Sequence, residues 1–90
     1  MDLLNRPTLH PQVAARTVDG TAVVVLADSG EVKILNPVGT RVWELIDGAR
    51  TVAEIIDVIV DEFEVSAQQA QEDVVEFLQQ LLNVQAIRLQ

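Results

Sequence analysis

The chain has no cysteine among its 90 residues. This absence excludes disulfide bonds, thiolate metal ligands and a cysteine nucleophile, so stability has to come from buried apolar surface, helix caps or oligomerisation. A chain without cysteine suits a reducing compartment, and we expect a cytoplasmic protein. The sequence also lacks a basic segment followed by an apolar run, and it lacks any stretch of about 20 apolar residues. It therefore predicts neither a secretion signal nor a membrane span.

Positive charge is scarce as well. Six Lys and Arg residues stand against fourteen Asp and Glu residues, which gives a net charge of −8, and residues 51–87 contain no cation. A nucleic-acid surface needs clustered cations to displace the counterions of the phosphates. The composition therefore predicts no nucleic-acid partner.

Few side chains could carry out catalysis or bind a metal. His10 is the only histidine and has no companion ligand or base near it in the sequence. Asp57 with Asp61, and Asp73 with Glu76, pair at helical spacing, but each pair lies on the polar face of a predicted helix and not in a pocket. We therefore predict a protein that is not an enzyme, with no catalytic residue, no metal and no cofactor.

What the sequence does contain, 49% hydrophobic residues, is ample for one packed domain spanning residues 1–90. Residues 1–10 read as an irregular arm. In residues 11–36, the runs VAARTV, TAVVVLA and EVKILN are separated by Asp19-Gly20 and by Asp28-Ser29-Gly30, which predicts a three-stranded antiparallel meander. The middle run is apolar on both faces, with Val23, Val25 and Ala27 opposed to Ala22, Val24 and Leu26, so we expect something to cover its second face.

Three helices are predicted in residues 37–83. Their starts are marked by Asn36 before Pro37, by the capping box from Thr51 to Glu54, and by Ser66. Residues 84–90 read as a tail or a short strand. Trp43 follows Val42 on an apolar stripe, so it either belongs to the core or faces a partner. The fold class is therefore α+β, and this order of elements is that of a winged helix-turn-helix.

Two features suggest a binding surface. The strand EVKILN has no later strand to pair with, so it is predicted to lie at a sheet edge with unpaired N–H and C=O groups. The third helix has an apolar arc of roughly 160°, wider than a surface helix usually buries. This arc has one shoulder at Val75 and Leu82 and another at Ala70 and Phe77. Either the helix is sunk deeply in a small core, or one shoulder is left for a partner. A DNA-binding winged helix is disfavoured, since this helix has no Arg or Lys to read bases.

Residues 35–87 resemble the PqqD-like family. The motifs that carry the resemblance are Leu35-Asn36, a Trp two residues before a Leu at 43–45, the helix stop Ile46-Asp47-Gly48, the string TVAEI at 51–55, and a helix with Asp-Val at 73–74 and a leucine-rich end. The resemblance implies a recognition element for RiPPs, which are ribosomally made and modified peptides. Such a winged-helix domain holds the leader of a precursor peptide as an added strand, in a groove against the third helix.

Carried over by position, the resemblance implies a peptide-binding site made of backbone from Val32 to Leu35 and of side chains on the third helix. The residues assigned to this site are Val32, Lys33, Ile34, Leu35, Gln71, Val75, Leu78, Gln79 and Leu82. β-Augmentation of this kind uses main-chain hydrogen bonds for affinity and side-chain pockets for specificity. Lys33 is expected to meet a leader carboxylate, and the acidic third helix is expected to favour basic leaders.

The resemblance implies one of two biosynthetic settings. In lasso-peptide systems a discrete recognition protein delivers the precursor to a separate leader peptidase, and this setting is favoured here. In the pyrroloquinoline quinone pathway the equivalent protein delivers its precursor to a radical enzyme. The competing class of function is a homodimeric interaction protein that pairs its own edge strand and binds no peptide.

Overall fold

The computed structural model describes residues 1–26 and 28–90 as a mixed α+β fold. The strands are β1 (Pro7–Leu9), β2 (Ala14–Val18), β3 (Thr21–Val25), β4 (Val32–Ile34) and β5 (Ile87–Leu89), and the helices are α1 (Pro37–Leu45), α2 (Val52–Phe63) and α3 (Ala67–Asn83). The three-stranded sheet and the three helices are confirmed. Within the described ranges, no helix is long and apolar enough to cross a membrane.

The three-stranded sheet is an antiparallel meander with the order β2-β3-β4. Asp19 and Gly20, which join β2 to β3, have φ values of 50° and 77°. Positive φ at both central positions matches the right-handed twist of a tight hairpin, which explains why the Asp-Gly pair predicted this turn. Because β3 is central, β2 and β4 form the two edges of the sheet.

A second, two-stranded sheet joins the two ends of the chain. β1 pairs with β5 in antiparallel register, with Thr8 opposite Arg88. The prediction that residues 1–10 are irregular is therefore wrong for Pro7–Leu9, whereas the short strand predicted within residues 84–90 is present. Short strands of three residues carry little pattern of their own, and the partner of β1 lies about 80 residues away in the sequence.

The N-terminal arm also stabilises the start of α2. The backbone N–H groups of Val52 and Ala53 donate to the carbonyl oxygens of Asn5 and Leu3, each at 2.9 Å. The first N–H groups of a helix have no partner within the helix, so these bonds satisfy two of them. The arm is therefore part of the folded domain.

The predicted helix starts are confirmed. Asn36, Thr51 and Ser66 are the N-cap residues, and the side chain of each accepts a hydrogen bond from the backbone N–H three residues later. At Thr51 the capping box is complete, because Glu54 Oε1 also accepts from the Thr51 N–H at 2.9 Å.

The core lies between the helices and the inner face of β3. Ala22 and Val24 of β3 and the inner residues of all three helices are buried. Trp43 is 6% exposed and belongs to this core, which resolves the two interpretations of that residue. A buried hydroxyl joins sheet and helix, because Thr40 Oγ1 accepts from the Ala22 N–H at 3.1 Å and donates to the Leu35 carbonyl at 3.3 Å.

The outer face of the sheet is not covered. Val25 is 37% exposed, and no described element packs against the outer side of β3. The expectation of a cover for the second face of this strand is therefore wrong for the chain alone. Ala27, which was predicted on the same face, lies outside the described residues.

Candidate functional site

The open edge of β4 is the first component of the candidate site. β4 corresponds to EVKILN, the run predicted as the edge strand, and among the described residues it pairs with β3 alone. Leu35 N–H donates to the Ala22 carbonyl at 3.0 Å, and Leu26 N–H donates to the Glu31 carbonyl at 2.9 Å. Hydrogen-bonded pairs alternate with non-bonded ones in an antiparallel ladder. The backbone N–H and C=O groups of Lys33 therefore form hydrogen bonds to β3, whereas those of the residues before and after it do not.

The residues on either side of Lys33 are Val32 and Ile34, which lie opposite Val25 and Val23. As non-hydrogen-bonded pairs, they direct their N–H and C=O groups away from β3, toward the open edge. Two N–H donors and two C=O acceptors are therefore available for hydrogen bonds to another extended strand.

Side chains of β4 alternate between two surfaces. Val32 and Ile34 project on the outer face of the sheet and are 55% and 74% exposed. Lys33 lines a groove on the other face, and Leu35 is buried at the base of that groove. The Lys33 ammonium lies 3.2 Å from the Glu31 carboxylate, an exposed ion pair of small energetic value.

The groove between β4 and α3 has a volume of about 310 Å³. It is lined by Lys33, Ile34, Leu35, Asn36, Phe77, Gln80 and Leu81. The Phe77 ring is half-buried, and a Cβ atom placed on Gly39 of α1 would lie 3.4 Å from it. Glycine at this position therefore lets α1 approach the ring closely.

A second depression continues the groove between α1 and α3. It has a volume of about 300 Å³ and shares Asn36, Phe77 and Gln80 with the first. Asp73 and Glu76 lie at this end, whereas Lys33 lies at the other. The combined groove therefore has the half-buried Phe77 ring at its centre beside the polar side chains of Asn36 and Gln80. A cation lies at its β4 end and two carboxylates lie at its α1 end.

The structure divides the predicted site residues between several places. Val32, Lys33, Ile34 and Leu35 lie together on or beside β4, as expected from their sequence. Gln71, Val75 and Gln79 line a different depression, of about 480 Å³, on the far side of α3 beside Met1.

The other two predicted residues of α3 point toward the core. Leu78 is 0% exposed, so its side chain supports the helix from within and does not line the surface. Leu82 is half-buried and packs against the core. The role of these α3 residues in peptide binding stays a prediction.

Four groove residues were not among those predicted: Asn36, which precedes α1, and Phe77, Gln80 and Leu81 of α3. The signal was present, because Phe77 belongs to one of the two shoulders of the apolar arc. A helical wheel shows how wide an apolar arc is but not which shoulder faces a given strand. The structure places the Phe77 shoulder beside β4.

The rest of the described chain has no arrangement typical of a catalytic or metal site. Outside Ala27, no three His, Cys, Asp or Glu side chains lie close enough to hold a metal ion. His10 Nδ1 accepts from the Gln12 backbone N–H at 3.1 Å and so takes part in a turn.

Comparisons with known proteins give the family of the chain. Residues 21–87 match the family model of coenzyme PQQ synthesis protein D, PqqD, so the chain belongs to the PqqD family. No curated protein matches the sequence.

Two solved structures share the fold over nearly the whole chain. One is TbiB1 in complex with the TbiA(beta) leader peptide, with a TM-score of 0.83 and 26% identity, over 90% of this chain and 94% of that one. The other is lasso peptide synthetase B1 complexed with the leader peptide, with a TM-score of 0.81 and 19% identity, over 92% of this chain and 98% of that one.

Proposed function

We propose that this chain captures the leader of a ribosomally made precursor peptide and delivers it to a separate leader peptidase in lasso-peptide biosynthesis. The leader adds as a strand to the open edge of β4 and places side chains in the groove against α3. The chain itself performs no chemistry on the peptide. The observation that carries the proposal is the open edge of β4 beside a groove that contains the half-buried Phe77 ring.

The backbone of β4 supplies the affinity. The outward N–H and C=O groups of Val32 and Ile34 match the hydrogen-bonding pattern of an antiparallel or a parallel strand. Main-chain bonds of this kind depend little on the side chains of the peptide. A protein that carries leaders in this way, here called the carrier, can therefore accept leaders of different sequence, provided that each can adopt an extended conformation.

The groove supplies the selection. The half-buried Phe77 ring lies over the buried side chains of Leu35 and Leu81, and a leader side chain that packs on the ring removes apolar surface from water. Lys33 favours a carboxylate of the leader near β4, and Asp73 with Glu76 favours a basic residue near α1. Leaders that combine these features in register should bind best.

The depression on the far side of α3, beside Met1, could extend the same binding site. Val75, Gln71 and Gln79 are separated from the groove by Glu76 and Gln80, which line both. A leader longer than the groove can cross this ridge and contact Val75. Under this proposal Leu78 and Leu82 contribute by holding α3 in place against the core.

We assign the arrangement to the winged helix-turn-helix type, used here for peptide and not for DNA. α2 and α3 are joined by a short turn in which Glu64 has φ 52°, as in a helix-turn-helix pair. α3 carries Glu72, Asp73 and Glu76 and no cation, so it would repel the phosphates of a duplex.

The structural likeness to two leader-peptide complexes supports the lasso-type setting. The family model, in contrast, favours a second candidate, delivery of the pyrroloquinoline quinone precursor to its radical enzyme. The fold of the carrier serves either setting, because in both the bound partner is an extended leader.

Fluorescence polarisation with labelled leaders tests the proposal and separates its two versions. The probes are the leader of a precursor encoded beside this chain, a lasso-precursor leader, a pyrroloquinoline quinone precursor and a scrambled leader. Binding of the first two at micromolar concentration or below, without binding of the scrambled peptide, is the expected result. Preference for the pyrroloquinoline quinone precursor would select the second candidate, and no binding to any leader would contradict peptide capture.

A further inference from the structure

The outer face of the three-stranded sheet is a second surface, which shares Ile34 of β4 with the leader groove. The strand registers align its residues in rows. One row is Ala14, Val25 and Val32, the next is Arg16, Val23 and Ile34, and Val18 with Thr21 completes the face. We call these eight residues the outer sheet face. Six of them are apolar, and Arg16 is the one charged residue.

The outer sheet face is exposed over a substantial area. Val18 is 49% exposed, Ile34 and Val32 are more exposed than this, and Val25 is less exposed. A shallow depression of about 350 Å³ lies across β2 and β3 on this face. The apolar area is on the order of 400 Å², the size of patches that are often functional on monomeric proteins.

A second copy of the chain fits this face poorly. A stable interface buries about 800 Å² on each partner, roughly twice the area of this patch. Each copy has a net charge of −8, so two copies repel one another. In a two-fold face-to-face dimer, moreover, the Arg16 residues of both copies would lie in the same interface, where their like charges repel.

The charge and size of the face fit a different protein that binds transiently. Among the described residues Arg16 forms no ion pair, although most other cations of the chain do. A partner with an apolar surface and one carboxylate opposite Arg16 would bury the valines and pair the guanidinium. A patch of this size is typical of short-lived complexes, which suit a carrier that must release its cargo.

The face is continuous with the leader site through β4. Val32 and Ile34 direct their backbone groups to the open edge and their side chains to the outer sheet face. A strand added to β4 would extend the sheet by one strand, and every second side chain of that strand would lie on the same face. A protein docked there would contact both the carrier and the bound peptide.

We propose that the outer sheet face is the docking surface for the enzyme that processes the bound precursor. The apolar rows and Arg16 hold the enzyme, and the outward side chains of the added leader strand strengthen its binding. The enzyme thereby distinguishes the loaded carrier from the empty one. This inference rests on the proposed function, because it takes the cargo strand to lie on β4.

The test measures binding of the leader-processing enzyme encoded with the precursor to immobilised carrier, with and without leader. Val18→Glu places a charge on the outer sheet face, away from β4. Thr17→Glu is the matched control, because Thr17 is an exposed neighbour on the same strand whose side chain points to the opposite face. We expect Val18→Glu to weaken enzyme binding by about tenfold or more, as at an interface hot spot. We expect Thr17→Glu to change it by no more than about twofold.

Arg16 gives a second pair of variants. Arg16→Glu should weaken enzyme binding by about tenfold, whereas Arg16→Lys should retain most of it, because the face requires a cation at this position. All four variants should bind leader as the wild type does, which also shows that they are folded. For the wild type, added leader should tighten enzyme binding.

Three outcomes overturn the inference. If wild-type carrier does not bind the enzyme, or if Val18→Glu and Thr17→Glu bind it equally, the outer sheet face is not the docking surface. If the wild type sediments as a dimer that Val18→Glu dissociates, the occupant is a second copy of the chain. Failure of leader binding in the wild type would instead contradict the proposed function, and the enzyme measurements without leader would still decide the docking surface.

Discussion

Ile34 lies opposite Val23 in a pair that makes no hydrogen bonds across β3 and β4. The backbone N–H and C=O of Ile34 therefore point out from the sheet, although its side chain belongs to the outer face. Ile34 thus contributes to two surfaces. Its backbone belongs to the edge where a leader strand would add, and its side chain belongs to the outer sheet face, the proposed docking surface.

The identity of the groove floor can be tested with one aromatic residue. Phe77→Ala removes the half-buried ring between β4 and α1, and we expect leader affinity to fall by about tenfold or more. Val75→Ala is the control on the other shoulder of α3. For a leader that spans the groove alone, it should lower affinity by no more than about twofold. A larger effect for Val75 than for Phe77 would place the leader on the far side of α3, as the residues assigned from the sequence predict.

The two carboxylates at the α1 end of the groove should affect the rate of association. Replacing Asp73 by Asn and Glu76 by Gln should slow the binding of a basic leader by roughly threefold at low salt, because steering acts mainly on association. Stopped-flow fluorescence measures this rate, and Asp57→Asn with Asp61→Asn on α2 is the matched neutralisation elsewhere. The difference should vanish near 1 M salt, where the screening length is about 3 Å. Equal rates at low salt would remove these carboxylates from the site.

The capping box of α2 should contribute to stability but not to binding. Thr51→Ala removes the oxygen that accepts from the Glu54 N–H at 3.1 Å, and we expect a loss of about 1 kcal/mol in the free energy of unfolding. Urea denaturation measures the loss. Thr51→Ser, which keeps the hydroxyl, should retain most of the stability. Leader affinity should be unchanged, since Thr51 lies outside the groove; a large loss of affinity would mean that α2 shapes the site.

Acid should destabilise the fold because two carboxylates accept hydrogen bonds from backbone N–H groups. Glu54 lies in the first turn of α2, and Asp47 lies in the loop before that helix. The backbone N–H of Thr51 lowers the pKa of Glu54, and the N–H groups of Arg50 and Ala49 lower the pKa of Asp47. The unfolded chain therefore takes up these protons first, so the stabilisation is present at neutral pH and is lost as the pH falls below the ordinary values of about 4.5 and 3.8.

Urea midpoints measured between pH 7 and pH 3 test this effect. Stability should fall on acidification, and Glu54→Gln should make the fall shallower because the residue at 54 no longer titrates. An unchanged pH profile in that variant would show that Glu54 contributes nothing to the acid dependence. Asp57→Asn, on the polar face of α2, is the comparison.

Local signals were enough to predict much of the fold. The Asp19-Gly20 turn and the N-caps at Asn36, Thr51 and Ser66 each depend on residues within four positions of one another, and each is confirmed. β1 could not be predicted in this way, because its partner is at the other end of the chain. The exposed outer sheet face was also missed, since an apolar strand face indicates burial without showing what covers it.

The candidate site was predicted only in its strand half. The edge position of β4 follows from the order of elements along the chain, so Val32 to Leu35 could be found from the sequence. The α3 half depends on how the helix is rotated relative to the sheet. That rotation is set by long-range packing, including the contact of Phe77 with α1 at Gly39. The sequence of α3 alone therefore does not predict it.

Strand addition to β4 is the central claim, and Ile34→Pro tests it most directly. Proline removes the N–H that points to the open edge but none of the hydrogen bonds between β3 and β4, so the sheet should persist. Ile34→Ala is the matched control, because it shortens the same exposed side chain and keeps the N–H. Fluorescence polarisation with the labelled leader should show binding to wild type and Ile34→Ala, and loss of binding to Ile34→Pro with circular dichroism unchanged. Wild-type affinity in a folded Ile34→Pro variant would contradict strand addition at β4.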